Sequence, residues 1–124
     1  MSDEPDDDLC IILTTARTGD EARRIAELLV ERRLAACVNI LPGARSIYRW
    51  QGAIEESAEA MLTIKTSRCL TSAVHAAMRE AHSYELPEFL ILPIIGGGAE
   101  YLAWLRDGLI PGSGPKLAPP PEKN

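Results

Sequence analysis

The sequence predicts an α+β fold in which strands and helices follow one another as βαββαβ, with a short helix appended. Residues 11–13 and 89–95 are apolar without alternation, which is typical of strands covered on both faces. Residues 59–66 alternate between apolar and polar side chains, as a half-exposed strand does. Residues 18–33 and 67–81 carry apolar side chains at helical spacing and supply the two main helices.

The first strand is predicted over residues 10–15, and the first helix begins at Thr18. Glu21 lies three residues after Thr18, so its carboxylate can reach back to the cap residue in a capping box. The apolar face of this helix consists of Ala22, Ile25, Ala26, Leu28 and Leu29. Arg32 and Arg33 end the helix, where positive charge suits the helix dipole.

The next two strands are separated by a turn at Gln51 and Gly52. The first of them covers residues 36–41, is interrupted at Pro42-Gly43, and continues over residues 45–50. The second covers residues 59–66, and its side chains alternate between two faces. One face carries Ala60, Leu62 and Ile64, and the other carries Glu59, Met61, Thr63 and Lys65.

The second helix is predicted over residues 67–81, and its buried side consists of Leu70, Val74, Met78 and Ala81. The last strand, residues 89–95, follows a break at Pro87, and a third helix covers residues 99–105. This order predicts the split βαβ, or ferredoxin-like, arrangement. The last strand then lies at a sheet edge, where Pro93 is tolerated because its missing N–H faces outward.

This topology leaves one face of the sheet open. Both main helices lie on the same face, while the opposite face carries half of each doubly apolar strand. That apolar surface needs a cover, and the few helices of the chain do not supply it. We therefore expect a homo-oligomer that packs sheet to sheet.

A single domain is predicted over residues 10–109. Residues 1–9 form an acidic arm, and residues 110–124 form a tail rich in proline and glycine. Both compositions are typical of disordered segments.

Composition argues against several classes of function. The net charge is −5 and no basic stripe is present, which disfavours nucleic-acid binding. No apolar run reaches the roughly 20 residues that a membrane span requires. The acidic N-terminus lacks the features of a signal peptide, so we expect a cytoplasmic protein. The cysteines, Cys10, Cys37 and Cys69, are odd in number and far apart, and they do not indicate a disulfide framework.

Two pairs of aromatic side chains are candidates for contacts. Tyr48 and Trp50 share one face of a strand, where they form either a ligand platform or a plug between subunits; the plug is favoured because large aromatics dominate interface cores. Tyr101 and Trp104 share one face of the last helix, and packing against a neighbour explains them.

The loop that begins at His82 brings histidine, tyrosine and carboxylate side chains together. His75 lies about 10 Å from His82 along the helix, so the two do not share an ion. Cys37 and His82 can meet only through folding or between subunits, and no Cys-x-x-Cys or His-x-x-x-His spacing is present. Glu59 and Lys65 lie about 20 Å apart on one strand face, so they do not pair with each other. Either could meet a neighbouring strand or subunit in a cleft, and otherwise both are solvated charges. No Gly-x-Ser-x-Gly elbow or P-loop indicates an enzyme.

Five segments together resemble the CutA divalent-cation-tolerance family. They are residues 34–43 (LAACVNILPG), 46–52 (SIYRWQG), 64–66 (IKT), 82–88 (HSYELPE) and 101–105 (YLAWL). The similarity extends over residues 11–109, and the combination of segments is highly specific.

The resemblance implies a ferredoxin-like protomer in a tight homotrimer, with no established enzymatic activity. It also implies a link to tolerance of copper and other divalent metals, and an architecture similar to that of trimeric PII signalling proteins. The hairpin around Trp50 and the last helix would contribute to trimer packing, through Tyr48, Tyr101 and Trp104. The family's cleft would correspond here to Cys37, Trp50, Glu59, Lys65, His82, Tyr84 and Glu88.

The sequence also departs from the family pattern. The family loop usually reads His-Pro-Tyr, whereas this chain has Ser83 in place of the proline. Some bacterial relatives are described as binding copper through a cysteine late in the first strand and two adjacent histidines. Here Thr14 stands at the strand position and Ala81 stands beside the single His82, so two of those three ligands are absent.

The leading hypothesis is a non-enzymatic trimer that binds copper, another divalent metal or a small ligand at a cleft between subunits. His82 would be the first donor, Glu88 or Cys37 would assist, and Lys65 would adjust the local charge. The alternative is a PII-like signalling or scaffold module that binds a small anionic metabolite or a partner protein.

Overall fold

A computed structural model of the chain describes residues 8–110, which fold into one antiparallel sheet and three α-helices. The elements in chain order are β1 (Leu9–Ala16), α1 (Gly19–Glu31), β2 (Cys37–Trp50), β3 (Ala53–Ser67), α2 (Thr71–Ala81), β4 (Leu90–Pro93) and α3 (Ala99–Asp107). The predicted α+β class and element order are confirmed. Residues 1–7 of the predicted arm and residues 111–124 of the predicted tail lie outside the described residues, and Leu9 belongs to β1.

The strands lie in the order β2-β3-β1-β4, and each neighbouring pair is antiparallel. Ile12 of β1 pairs with Ile64 of β3 on one side and with Ile91 of β4 on the other. β4 is an edge strand, as predicted, and Pro93 pairs with Cys10. The prediction of a strand over residues 89–95 was too long. β4 pairs only with β1, and Pro93 already lies opposite Cys10. Because β1 begins at Leu9, no partner strand remains for a longer β4 beyond that end.

α1 and α2 cover the face of the sheet that carries Ile12, Leu62 and Ile64. The buried residues of this core are Ile12, Ala16, Ala22, Ile25, Leu29, Leu34, Ala35, Ala60, Leu62, Ile64, Val74, Ala77 and Met78. The predicted apolar sides of both helices are therefore the sides that they bury. α2 begins at Thr71 rather than at residue 67, because Ser67 is still paired in β3 and Arg68–Leu70 form a 3₁₀ turn.

β2 and β3 form one long hairpin. The predicted interruption at Pro42-Gly43 is a β-bulge inside a continuous strand, and Gly43 there has a φ of 82°. Gln51 and Gly52 both have positive φ, 52° and 86°, which is the backbone of a type I′ turn. β3 begins six residues before the predicted start at Glu59 and continues the exposed hairpin arm.

α3 packs separately from the main core. Its Leu105 forms a small buried cluster with Leu9 and Leu109. Arg33 ties this helix to the end of α1, because its side chain donates hydrogen bonds to the carbonyls of Asp107 (3.0 Å) and Gly108 (3.4 Å). Within the described part of the chain, no helix is long and apolar enough to cross a membrane.

Candidate functional site

A cluster of polar side chains surrounds Glu59 on the sheet face opposite the main helices. The Glu59 carboxylate accepts hydrogen bonds from the hydroxyls of Ser46 (2.5 Å), Tyr84 (2.7 Å) and Thr15 (3.5 Å). Ser46 comes from β2, Thr15 from the end of β1 and Tyr84 from the loop after α2. Glu59 is therefore held by three different segments of the chain and is not simply a charged side chain surrounded by water.

Tyr84 brings the loop of residues 82–88 onto the sheet through this contact. Burial raises the pKa of the Tyr84 phenol above its usual value, and the hydrogen bond to the Glu59 carboxylate raises it further. The guanidinium of Arg17 lies 5.6 Å from the centre of the Tyr84 ring, within the range of a cation–π contact. Tyr84 is thus a neutral phenol that donates a hydrogen bond to the Glu59 carboxylate.

His82 uses both ring nitrogens in hydrogen bonds to the backbone. Its Nδ1 accepts from the N–H of Tyr84 (3.1 Å), and its Nε2 lies 2.6 Å from the carbonyl oxygen of Thr15. Because the amide can only donate and the carbonyl can only accept, the ring is the neutral tautomer with the proton on Nε2. Neither nitrogen can take a metal ion without breaking one of these bonds.

Glu21 is the buried carboxylate of the site. Its Oε1 accepts from the N–H of Arg17 (2.9 Å) and its Oε2 from the N–H of Ser83 (2.5 Å). The predicted capping box is therefore shifted. Thr18 does cap α1 by accepting from the Glu21 N–H, but the carboxylate bonds the residue before the cap. Burial acts to raise the pKa of Glu21, yet the hydrogen bonds from Arg17 and Ser83 outweigh it and lower that pKa.

The predicted donors Cys37 and His82 lie at different ends of the sheet. Cys37 pairs with Lys65, which pairs with Ile11 of β1, whereas His82 contacts Thr15. Ile11 and Thr15 are about 13 Å apart along that strand. Across residues 8–110 no group of three or more His, Cys, Asp and Glu side chains could hold a metal ion. One chain therefore does not bring the predicted metal ligands together.

Glu88 marks the other end of the loop. Its carbonyl accepts a hydrogen bond from the hydroxyl of Thr14 (2.6 Å), which is fully buried. The Thr14 hydroxyl thus anchors the loop to β1. With His82 bound to Thr15, both ends of residues 82–88 are fixed to the end of β1.

Lys65 and the aromatic residues occupy other parts of the molecule. The Lys65 ammonium donates to the hydroxyl of Tyr101 (3.1 Å), and Tyr101 stacks on Trp104 with the ring centres 5.6 Å apart. Trp104 packs on the α3 cluster of its own chain. Tyr48 and Trp50 lie exposed near the tip of the hairpin. The intersubunit cleft and the trimer contacts remain predictions for all of these residues.

Sequence reasoning assigned no role in the site to Arg17, Ser46 or Thr15, and it placed Glu21 only in a helix cap. The one available signal was Glu21 itself, as the acidic residue of a capping box. The contacts of Thr15 and Ser46 depend on strand register and on a loop that returns from the far end of α2. Spacing along the chain does not reveal such contacts.

Comparison with known proteins gives consistent matches. A family model described as "CutA1 divalent ion tolerance protein" matches residues 10–108. A Pectobacterium atrosepticum protein named "Divalent-cation tolerance protein CutA" is 44% identical over 109 residues, covering 88% of this chain and 99% of the relative. Human "Protein CutA" is 46% identical over 85 residues, covering 68% of this chain and 48% of the relative.

Solved structures of the same family superpose closely on this fold. The divalent cation tolerance protein of Thermus thermophilus matches with a TM-score of 0.80 at 44% identity, covering 82% of this chain and 98% of that one. CutA1 of Oryza sativa matches with a TM-score of 0.82 at 35% identity, covering 85% and 96%. The family model, the sequence identities and the shared fold agree, and this chain belongs to the CutA1 divalent ion tolerance protein family.

Proposed function

We propose that this chain acts in divalent-cation tolerance as a non-enzymatic, ferredoxin-like homotrimer that binds a metal ion or a small ligand between subunits. Its family supports the role in tolerance. The trimer is supported by a single structural observation, the apolar sheet surface that the chain leaves uncovered. A cytoplasmic location is part of the proposal, although an Archaeoglobus fulgidus relative is named a periplasmic protein.

The uncovered surface includes β4 and the hairpin. Leu90 and Leu92 are 55% and 43% exposed although both are strand residues, and Trp50 is 42% exposed. Monomeric soluble proteins rarely expose contiguous apolar patches larger than a few hundred Å². β2 and β4 are also the two edges of the sheet, so different edges of neighbouring copies can pair head to tail, and such pairing forms a ring when the rotation between copies closes.

Light scattering on the purified protein tests the assembly. We expect the mass of three chains at micromolar concentration and no dissociation on moderate dilution. A monodisperse monomer would contradict the trimer and with it every site placed between subunits.

Metal binding would need donors from more than one subunit. Cys37 and His82 are held apart within one chain, and an ion bound at Nδ1 of His82 would displace the Tyr84 amide. A set that combines His82 of one subunit with Cys37 of another satisfies the preference of copper for thiolate and imidazole, and Glu88 would add a carboxylate oxygen.

Calorimetric titration of chelator-stripped protein tests this site. Cu(II), and Cu(I) under reducing conditions, should bind with one site per subunit, and the site should be lost in His82→Ala. Binding no tighter than about 10⁻⁴ M, only some 5 kcal/mol, would exclude copper as a specific ligand.

A PII-like module that binds an anionic metabolite or a partner protein is the second candidate. Two observations favour it over a metal site. His82 has both nitrogens engaged, and within residues 8–110 the Lys65 ammonium takes part in no ion pair and bonds a neutral phenol. Protection of residues 82–88 from hydrogen exchange by small anions, and not by metals, would support this role.

A further inference from the structure

We propose that the buried Glu21 carboxylate is a latch that joins the Arg17 and Ser83 amides and thereby positions Tyr84 on Glu59. Glu21 would then be a positioning residue for the candidate site. It lies in the first turn of α1.

The latch connects two segments that are distant in sequence. Glu21 is 4% exposed, and its two oxygens each accept one backbone N–H, from the residue before the α1 cap and from the start of the loop. An ionised carboxylate is suited to this position because both of its oxygens only accept. Glutamine would direct an NH₂ group at one of the two amides.

The latch lies at the start of a chain of contacts that ends on Glu59. The Ser83 amide donates to Glu21. The following amide, that of Tyr84, donates to Nδ1 of His82, and the Tyr84 hydroxyl donates to Glu59. Three consecutive residues are thus fixed by hydrogen bonds. Freeing Ser83 removes the first of these and allows the Tyr84 backbone to move.

Hydrogen bonds maintain the ionised form of Glu21. Against the effect of burial, the N–H groups of Arg17 and Ser83 and the Ser83 hydroxyl bond its carboxylate and lower its pKa, and His82 at the end of α2 is the titratable side chain that acts on it. A carboxyl group with a lowered pKa stabilises the fold above the ordinary glutamate value. This stabilisation is lost as the pH falls through the lower, folded-state value.

Only the link between the latch and ligand binding rests on the proposed function. The latch itself is tested on the protein without ligand, so its failure is distinguishable from a failure of the metal or metabolite hypothesis.

Hydrogen exchange of the Tyr84 amide is the first test. Ser83→Pro removes the donated N–H, and the preceding residue His82 already has φ −92° and ψ 138°, the region that a residue before proline prefers. Ser83→Ala keeps the N–H and removes the hydroxyl, which also bonds the Glu21 carboxylate and lies 3.5 Å from Nε of Arg17. We expect exchange at least about tenfold faster in Ser83→Pro and in Glu21→Gln, as for loss of about one hydrogen bond. Ser83→Ala should exchange more slowly than Ser83→Pro, and the exposed-site control Glu27→Gln should exchange as the wild type does. Wild-type exchange in Ser83→Pro would overturn the latch.

An NMR pH titration of the wild type provides a second test that needs no variant. The Arg17 and Ser83 amide resonances should shift together with one midpoint below the ordinary glutamate pKa of 4.5. That shared midpoint reports one carboxylate bound to both amides. Independent shifts, or a midpoint at or above the ordinary value, would contradict the proposal.

Discussion

Tyr84 joins the loop of residues 82–88 to the sheet through a hydrogen bond to an ionised carboxylate. In Tyr84→Phe, Glu59 loses one of its three hydroxyl donors while it stays half-buried. We expect the free energy of unfolding to fall by about 1–2 kcal/mol in urea titrations, since the bond involves a charged partner. A loss below about 0.5 kcal/mol, the range of ordinary surface substitutions, would argue against a special role for Tyr84.

The Tyr84 phenol should lose its proton at a higher pH than an ordinary tyrosine does. Burial and the Glu59 carboxylate raise the pKa of Tyr84, so its protonated form is the stabilised one. Its contribution to stability is present below the ordinary tyrosine pKa of about 10 and is lost as the pH rises through the folded-state value. The measurement is tyrosinate absorbance of wild type and Tyr84→Phe. Their difference should appear at higher pH than the titration of free tyrosine, and a difference at the ordinary pH would refute the buried contact.

His82 shows how far sequence reasoning reaches at a single position. A histidine beside tyrosine and carboxylates in a loop before a strand indicated a segment that could carry function, and His82 and Tyr84 of this loop contact the end of β1 and Glu59. Its partners could not be predicted, because the carbonyl of Thr15 lies 67 residues away in sequence and is brought near only by the fold. Metal ligands and structural histidines look alike until both ring nitrogens are assigned.

The helices and strands were predicted best where apolar periodicity is strong. α1 and α2 appear with the expected buried faces, because burial of an apolar stripe determines both the helix and its orientation. The beginning of β3 was missed because residues 53–58 are rich in alanine and glutamate, which are depleted in strands. That arm is held by pairing with β2, which depends on the type I′ turn rather than on its own composition.

Arg33 links α3 to the end of α1 through two side-chain hydrogen bonds, and it does so from a strained backbone with φ of 60°. Arg33→Ala removes both hydrogen bonds and keeps the strain, so we expect a loss of about 1 kcal/mol. Arg33→Gly removes the same bonds but relieves the left-handed conformation, and it should be more stable than Arg33→Ala by about 1 kcal/mol. Urea unfolding at equal protein concentration measures both variants. A glycine variant less stable than the alanine variant would show that backbone strain is not the relevant difference.

The molecule as a whole presents an apolar surface that its own helices do not reach. Sequence analysis predicted that the last strand needs cover on both faces, and β4 is exposed along its whole length within this chain. α1 and α2 lie over β1 and β3, and β4 at the edge extends beyond them. No sequence pattern states what fills that space, since the identity and symmetry of a partner depend on the shapes of two surfaces rather than on periodicity.

A charge placed on this surface should separate the proposed trimer. Leu92→Lys puts an ammonium at a β4 position that is 43% exposed, and Val30→Lys puts the same group on the outer side of α1 at an equal 43%. If β4 is covered by another copy, Leu92→Lys buries an unpaired charge and shifts the mass by light scattering towards the monomer. Val30→Lys should keep the wild-type mass, because Val30 lies on α1, outside the sheet surface that is proposed to be covered. Circular dichroism of both variants separates dissociation from unfolding. A folded Leu92→Lys protein with three chains would place the contact between subunits elsewhere than on β4.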